Sequence, residues 1–194
     1  MAMNKYILIL FSFLFVRCAA NKTPELYQTY DKADYVYWSE TSKLTWNDFQ
    51  GTPKSSDKNY VSEIRLYNPA RIEKENIFSE VKLTSLCVFD KKHSWVNKKD
   101  ASDNLLLYNQ VMFNIYELYA RKLRKEFYST DFEVNDYKEQ FQLMSEKINL
   151  DLEKRLEDYK SDADLGNNIA AIKVWEKNIN KELNELKAYK VDYK

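Results

Sequence analysis

Apolar residues recur at three- and four-residue steps in three stretches, and each predicts an amphipathic helix. The strongest covers residues 105–127, which contain no Gly or Pro and are rich in good helix formers. Leu105, Tyr108, Met112, Ile115, Tyr116, Tyr119 and Leu123 fall on one side of this helix. Gln110, Asn114, Glu117, Arg121 and Arg124 fall on the other, which the pattern assigns to solvent. Asn109 breaks the pattern, lying on the apolar side between Leu105, Met112 and Phe113. An amide there is expected to be buried and hydrogen-bonded, because an unpaired buried amide is costly. Ser102 or Asp103 supplies the N-cap. A second helix is expected over residues 134–159, with Tyr137, Phe141, Met144, Ile148, Leu152, Leu156 and Tyr159 along one face; a coiled coil is the alternative. A third begins at Asn167 and Asn168 and carries Ile172, Trp175, Ile179, Leu183 and Leu186.

The first half of the chain alternates instead. Residues 35–38, 60–66 and 77–89 predict strands, with Asn68 and Pro69 ending the second. The last two are expected to pair antiparallel, with residues 70–76 in the connection. Within the last, Val81, Leu83, Ser85, Cys87 and Phe89 alternate, so Cys87 reads as a small buried hydrophobe. Between the strands, Thr45 caps a single helical turn, Trp46 and Phe49 turn inward, and Gly51 lets the chain leave. Residues 54–59 form a polar loop. These elements predict an α+β fold: an antiparallel sheet from the N-terminal half packed on three C-terminal helices.

The N-terminus carries a different pattern. Lys5 precedes an apolar run over residues 6–16, too short to span a bilayer comfortably and suited to a signal peptide. Cys18 directly after it is a candidate lipidation site, although Arg17 replaces the usual small residue. Cleavage after Ala20 or a retained anchor are the alternatives. The domain reading is a signal peptide over 1–17, a tether over 18–34 and a single domain over 35–190.

Composition narrows the chemistry. The 194 residues hold 30 Lys and Arg against 30 Asp and Glu, so charge makes no case for nucleic acid. With Gly 2, the chain lacks the glycines of a phosphate-cradling loop. Beyond Cys18, Cys87 has no partner for an intramolecular disulfide. His93 is the one His and cannot make a zinc site alone; its neighbour Ser94 does not make a triad with it. Asp48 reads as a turn or cap residue, and Asp162 and Asp164 as solvated loop carboxylates.

The run NQVMFNIYELYARKLRK resembles the helix of a bacterial family of secreted zinc-dependent proteases, formally a domain of unknown function. Three further blocks share the resemblance: KLTWNDFQGTP from Lys43, HSWV from His93 and YKSDADLG from Tyr159. In that family the helix carries H-E-x-x-H, two His one turn apart gripping zinc and a Glu serving as general base. Here Tyr108 stands where the first His belongs, Asn109 where the Glu belongs and Met112 where the second His belongs. Leu165 stands where a further His, the third ligand, precedes a Gly. A neutral phenol is a poor ligand at neutral pH, a thioether suits soft Cu(I) better than zinc, and an amide cannot act as a base.

The resemblance therefore implies a protease-like scaffold without its metal site, no catalytic residue and no cofactor. The expected function is that of a non-catalytic envelope lipoprotein, membrane-bound through lipidated Cys18, binding a protein or peptide partner in the old cleft. The alternatives are an active secreted or periplasmic hydrolase with a non-standard site, or a purely structural envelope protein.

Overall fold

A computed structural model describes residues 25–53 and 61–193. The signal peptide, Cys18 and the loop over 54–59 lie outside the described residues. The fold is α+β. A short helix α1 (Glu25–Thr29) leads into strands β1 (Tyr35–Tyr37), β2 (Ser62–Glu63), β3 (Leu66–Tyr67), β4 (Ala70–Glu73), β5 (Lys82–Ser85), β6 (Val88–Asp90) and β7 (Trp95–Val96). Three long helices follow: α2 (Asp103–Tyr128), α3 (Tyr137–Asp162) and α4 (Ile169–Glu185). The strands form three small antiparallel sheets, ordered β1-β6-β3, β2-β7 and β4-β5. Among the described residues no helix is long and apolar enough to cross a membrane.

Helices α2 and α4 start where their caps predict, whereas α3, expected over 134–159, runs Tyr137–Asp162 without a side-chain cap bond. Ser102 Oγ accepts from the Leu105 N–H at 3.3 Å, and Asn168 Oδ1 from the Ala171 N–H at 3.2 Å. Each satisfies an amide that the first helical turn leaves unpaired. At the turn Trp46–Asp48, Asp48 Oδ2 accepts from the Thr45 N–H at 2.7 Å, which makes Asp48 a turn residue. Gly51 is required by close approach: a Cβ there would meet the Lys92 and Ser94 carbonyl oxygens at 2.8 Å. Its N–H donates to Ser94 O at 2.8 Å, tying the turn to the chain before β7.

The expected strands are divided. Residues 60–66 give β2 and β3, which join different sheets, and 77–89 give β5 and β6 after an exposed turn at Ile77 and Phe78. The two expected strands do pair antiparallel, with Leu66 opposite Phe89 and Tyr67 opposite Val88. The connection is itself structured, since β4 pairs with β5. Consecutive residues from Ser85 to Asp90 are all buried, so both faces of this segment are covered and alternation cannot mark where one strand ends. Cys87 lies in this segment, and burial pushes its thiol well above the ordinary value. Part of the expected tether is also structured: Tyr27 in α1 meets Tyr37 edge-on at 5.9 Å, and Glu25 pairs with Arg71 of β4.

The largest departure is in α2. Its polar stripe is not solvated: Gln110, Asn114, Glu117, Arg121 and Arg124 are all buried. Helices α3 and α4 and the sheets pack around α2, and the loop after β1 and the C-terminal tail cover the remaining side. Most polar groups on that side meet a counterpart; the Arg124 Nε is the exception, buried without a partner among the described residues. Trp38 Nε1 and Gln110 Nε2 both donate to Asn114 Oδ1 at 2.9 Å, and the Leu44 N–H donates to Gln110 Oε1 at 2.9 Å. Glu117 accepts from Arg121 at 2.9 Å and from Arg124 at 3.2 Å. The two guanidinium groups then reach the Leu183 and Tyr189 carbonyls at 2.7 and 2.5 Å. A polar stripe on a wheel marks polarity and not water, and here a buried network replaces the water.

Candidate functional site

The N-terminal half of α2 faces a cavity of about 530 Å³. Tyr108, Asn109 and Met112 form its floor because helical spacing puts them on adjoining positions of one face. Leu165 reaches it from the turn after α3, so all four positions singled out in the sequence line one space. Glu63 of β2 and Lys160 in the last turn of α3 complete the rim. Neither is marked by sequence spacing, since each is brought to α2 only by packing.

Tyr108 and Met112 are buried. The Tyr108 ring stacks on Tyr159, centroids 5.2 Å apart, and the Tyr159 hydroxyl donates to the Tyr108 carbonyl at 3.1 Å. Burial pushes the Tyr108 phenol up to about 12, so it stays neutral at physiological pH. Leu165 is exposed and left-handed, with φ 49°, next to Asp164 at φ 47°. Left-handed backbone is unfavourable for Leu, and the turn is held by Gly166, φ +105°, where an added Cβ would lie 3.3 Å from Leu105. The carboxylates nearby are not paired: Asp162 accepts from the Trp175 indole at 3.0 Å, and no such bond joins it to Asp164.

Asn109 is buried as expected, but its Nδ2 has no hydrogen-bond partner among the described residues. This overturns the expectation of a satisfied amide. Asn109 lines the cavity together with Met112, Ile64 and Leu66, apolar neighbours whose side chains offer its amide no acceptor. The donor is buried and unpaired, a cost that an acceptor brought against it would relieve.

The β2 strand lines the cavity through Ser62 and Glu63. The Asn97 N–H donates to the Val61 carbonyl at 2.9 Å, and Ser62 pairs with Val96. Antiparallel alternation then turns the backbone groups of Val61 and Glu63 toward β7 and those of Ser62 and Ile64 away from it. Among the described residues no strand pairs with that second edge. Glu63 is held from the β7 side, where Trp95 Nε1 donates to it at 3.1 Å and Arg65 pairs with it.

The cavity does not fit zinc. A neutral phenol, an amide, a thioether and an alkyl group are not a ligand set for it. Among the described residues no three His, Cys, Asp or Glu are placed to hold a metal ion. His93 lies elsewhere, exposed, with Nδ1 2.8 Å from Asp90 Oδ2. Ser94 is buried and accepts from the Arg65 N–H at 2.9 Å, so neither it nor His93 serves the other. No family model, curated protein or solved structure matches this chain.

Proposed function

We propose that the protein is a non-catalytic, zinc-protease-like lipoprotein of the bacterial envelope whose cleft binds an extended segment of a protein or peptide partner. The observation that carries the reading is the Asn109 Nδ2, buried and unpartnered among the described residues, on the floor of a cavity lined by β2, whose second edge no described strand pairs. An extended peptide supplies what both features lack. Its backbone pairs with Ser62 and Ile64 as an added strand, one of its carbonyls accepts from Asn109, and an apolar side chain fills the space over Met112. Strand pairing supplies affinity with little regard to sequence, and the cavity selects the side chain. Tyr108, Met112 and Leu165 in this reading are packing and lining residues with no chemical step.

The test is a random peptide library panned against the full chain. Peptides should be enriched whose affinity falls about tenfold on Asn109→Leu, the size of one buried hydrogen bond lost at an interface. Amide exchange at Ser62 and Ile64 should slow in the complex. Peptides that bind Asn109→Leu as well as the parent, or leave β2 exchange unchanged, would place recognition elsewhere and sink the reading.

A further inference from the structure

A second feature lies at the other end of α2. The hairpin β4-β5 ends in a turn that presents Phe78, 91% exposed, and Ile77, 68% exposed. The turn is built to hold them outward. Asn76 Oδ1 accepts from the Phe78 N–H at 2.9 Å, Ser79 Oγ accepts from the Asn76 N–H at 3.0 Å, and Lys82 pairs with Glu75 at 2.6 Å across the neck. Tyr128 at the end of α2 and Val134 after it are also exposed, and all four line one hollow of about 460 Å³. Large apolar side chains this exposed and this close together mark a contact surface.

The position of the chain's N-terminal exit says what that surface meets. Glu25, where the described chain begins, pairs with Arg71 at the base of the same hairpin. The residues between Cys18 and Glu25 reach roughly 25 Å when extended. Arg71 precedes Ile77 by six residues, so the hairpin tip is at most about 20 Å away, the span of a fully extended strand. A lipid on Cys18 and the tip of the hairpin can therefore lie in one plane. The charges around the tip are mixed in sign, Lys74 and Lys82 beside Glu75, Glu80 and Asp131.

We propose that Ile77 and Phe78, flanked by Tyr128 and Val134, form a second membrane contact that enters the bilayer holding the lipidated Cys18. This rests on the lipoprotein reading above. A single anchor point leaves the orientation of a domain open; a second contact fixes it. Tyr108 lies about 30 Å along α2 from Tyr128, at 1.5 Å per residue, so the peptide cleft and the proposed contact lie toward opposite ends of α2.

The experiment uses the full chain, processed in a bacterial host and reconstituted into phosphatidylethanolamine–phosphatidylglycerol vesicles. A polarity-sensitive dye is attached at Phe78→Cys and, in a second variant that keeps both apolar residues, at Glu80→Cys. Emission is expected to shift blue and rise several-fold on reconstitution at both positions, with quenching by spin-labelled lipid. The same dye at Leu143→Cys, on the exposed side of α3, should not change. Protein that floats with the vesicles while the tip dyes stay unchanged overturns the contact and leaves the anchor standing. Protein that fails to float removes the anchor and the contact with it. A change that appears in detergent and grows with protein concentration shows that a second copy covers the tip, and overturns the proposal.

Discussion

Asn109 shows what one residue contributes beyond its place on a wheel. Its position on the apolar side of α2 was legible from spacing, but its missing partner was not, because the partner would have to come from β2 or α3. A buried donor without an acceptor costs stability that an apolar group of the same shape does not. Asn109→Leu should therefore raise the unfolding free energy by roughly 1 kcal/mol in denaturant titration while weakening peptide binding. A fall in stability would show that the amide is satisfied. Met112→Ala should lower stability by about 2 kcal/mol, the low end for emptying a buried site, because one side of Met112 already borders the cavity. A neutral result would remove Met112 from the core.

Tyr108 adds a pH dependence. Its phenol is raised to about 12 when folded, above the ordinary value of 10.0. Between those values the unfolded chain releases a proton that the folded chain keeps. The stabilisation is therefore complete below about pH 10 and is lost as pH rises toward about 12. Stability in denaturant unfolding should fall across that window, and fall less steeply in Tyr108→Phe. Equal slopes in the two proteins would mean that Tyr108 ionises as freely folded as unfolded.

Among the elements, α2 carries the main lesson. Its length, N-cap and apolar stripe follow from local sequence, and Ser102 caps it as expected. The opposite stripe does not, since the same Gln, Asn, Glu and Arg residues suit water or a buried network equally well. Glu117 decides between these. It is fully buried beneath Arg121, Arg124 and the Tyr193 hydroxyl at 3.3 Å, so Glu117→Leu leaves two guanidinium groups without their counter-charge. The expected cost is about 3–5 kcal/mol in urea unfolding. Lys181→Ala, which removes an exposed pair with Glu185, should cost less than about 1 kcal/mol. Similar values for the two would return the α2 stripe to solvent. The strands carry a related lesson: boundaries between β2 and β3, and between β5 and β6, are set by which neighbour each segment pairs with, and alternation holds no information about that.

At the scale of the whole molecule, metal content and anchoring separate the competing readings. Protein purified without chelator should carry no stoichiometric zinc by elemental analysis, because the cavity offers no set of three or four good ligands. About one zinc per chain held through dialysis would restore the hydrolase alternative. Cys18→Ser should change the mature mass and shift the protein out of the membrane fraction. Unchanged mass and fractionation would leave cleavage after Ala20 or a retained anchor.

Local chemistry alone determined the three long helices, the caps of α2 and α4, the α+β division of the chain and the shared helical face of Tyr108, Asn109 and Met112. These follow from periods, caps and propensities, which depend on residues a few positions apart. Leu165 entered only through resemblance to a family pattern, and Glu63 and Lys160 not at all, because they meet α2 from distant parts of the chain. Tertiary structure alone decided that the polar stripe of α2 is buried, that the expected long strands divide among three sheets, and that Asn109, among the described residues, keeps an unpartnered donor in a cavity lined by β2. The physical reason is common to all three. Whether a polar group is solvated, paired or orphaned depends on what lies beside it in space, and that is fixed only when α2 is enclosed.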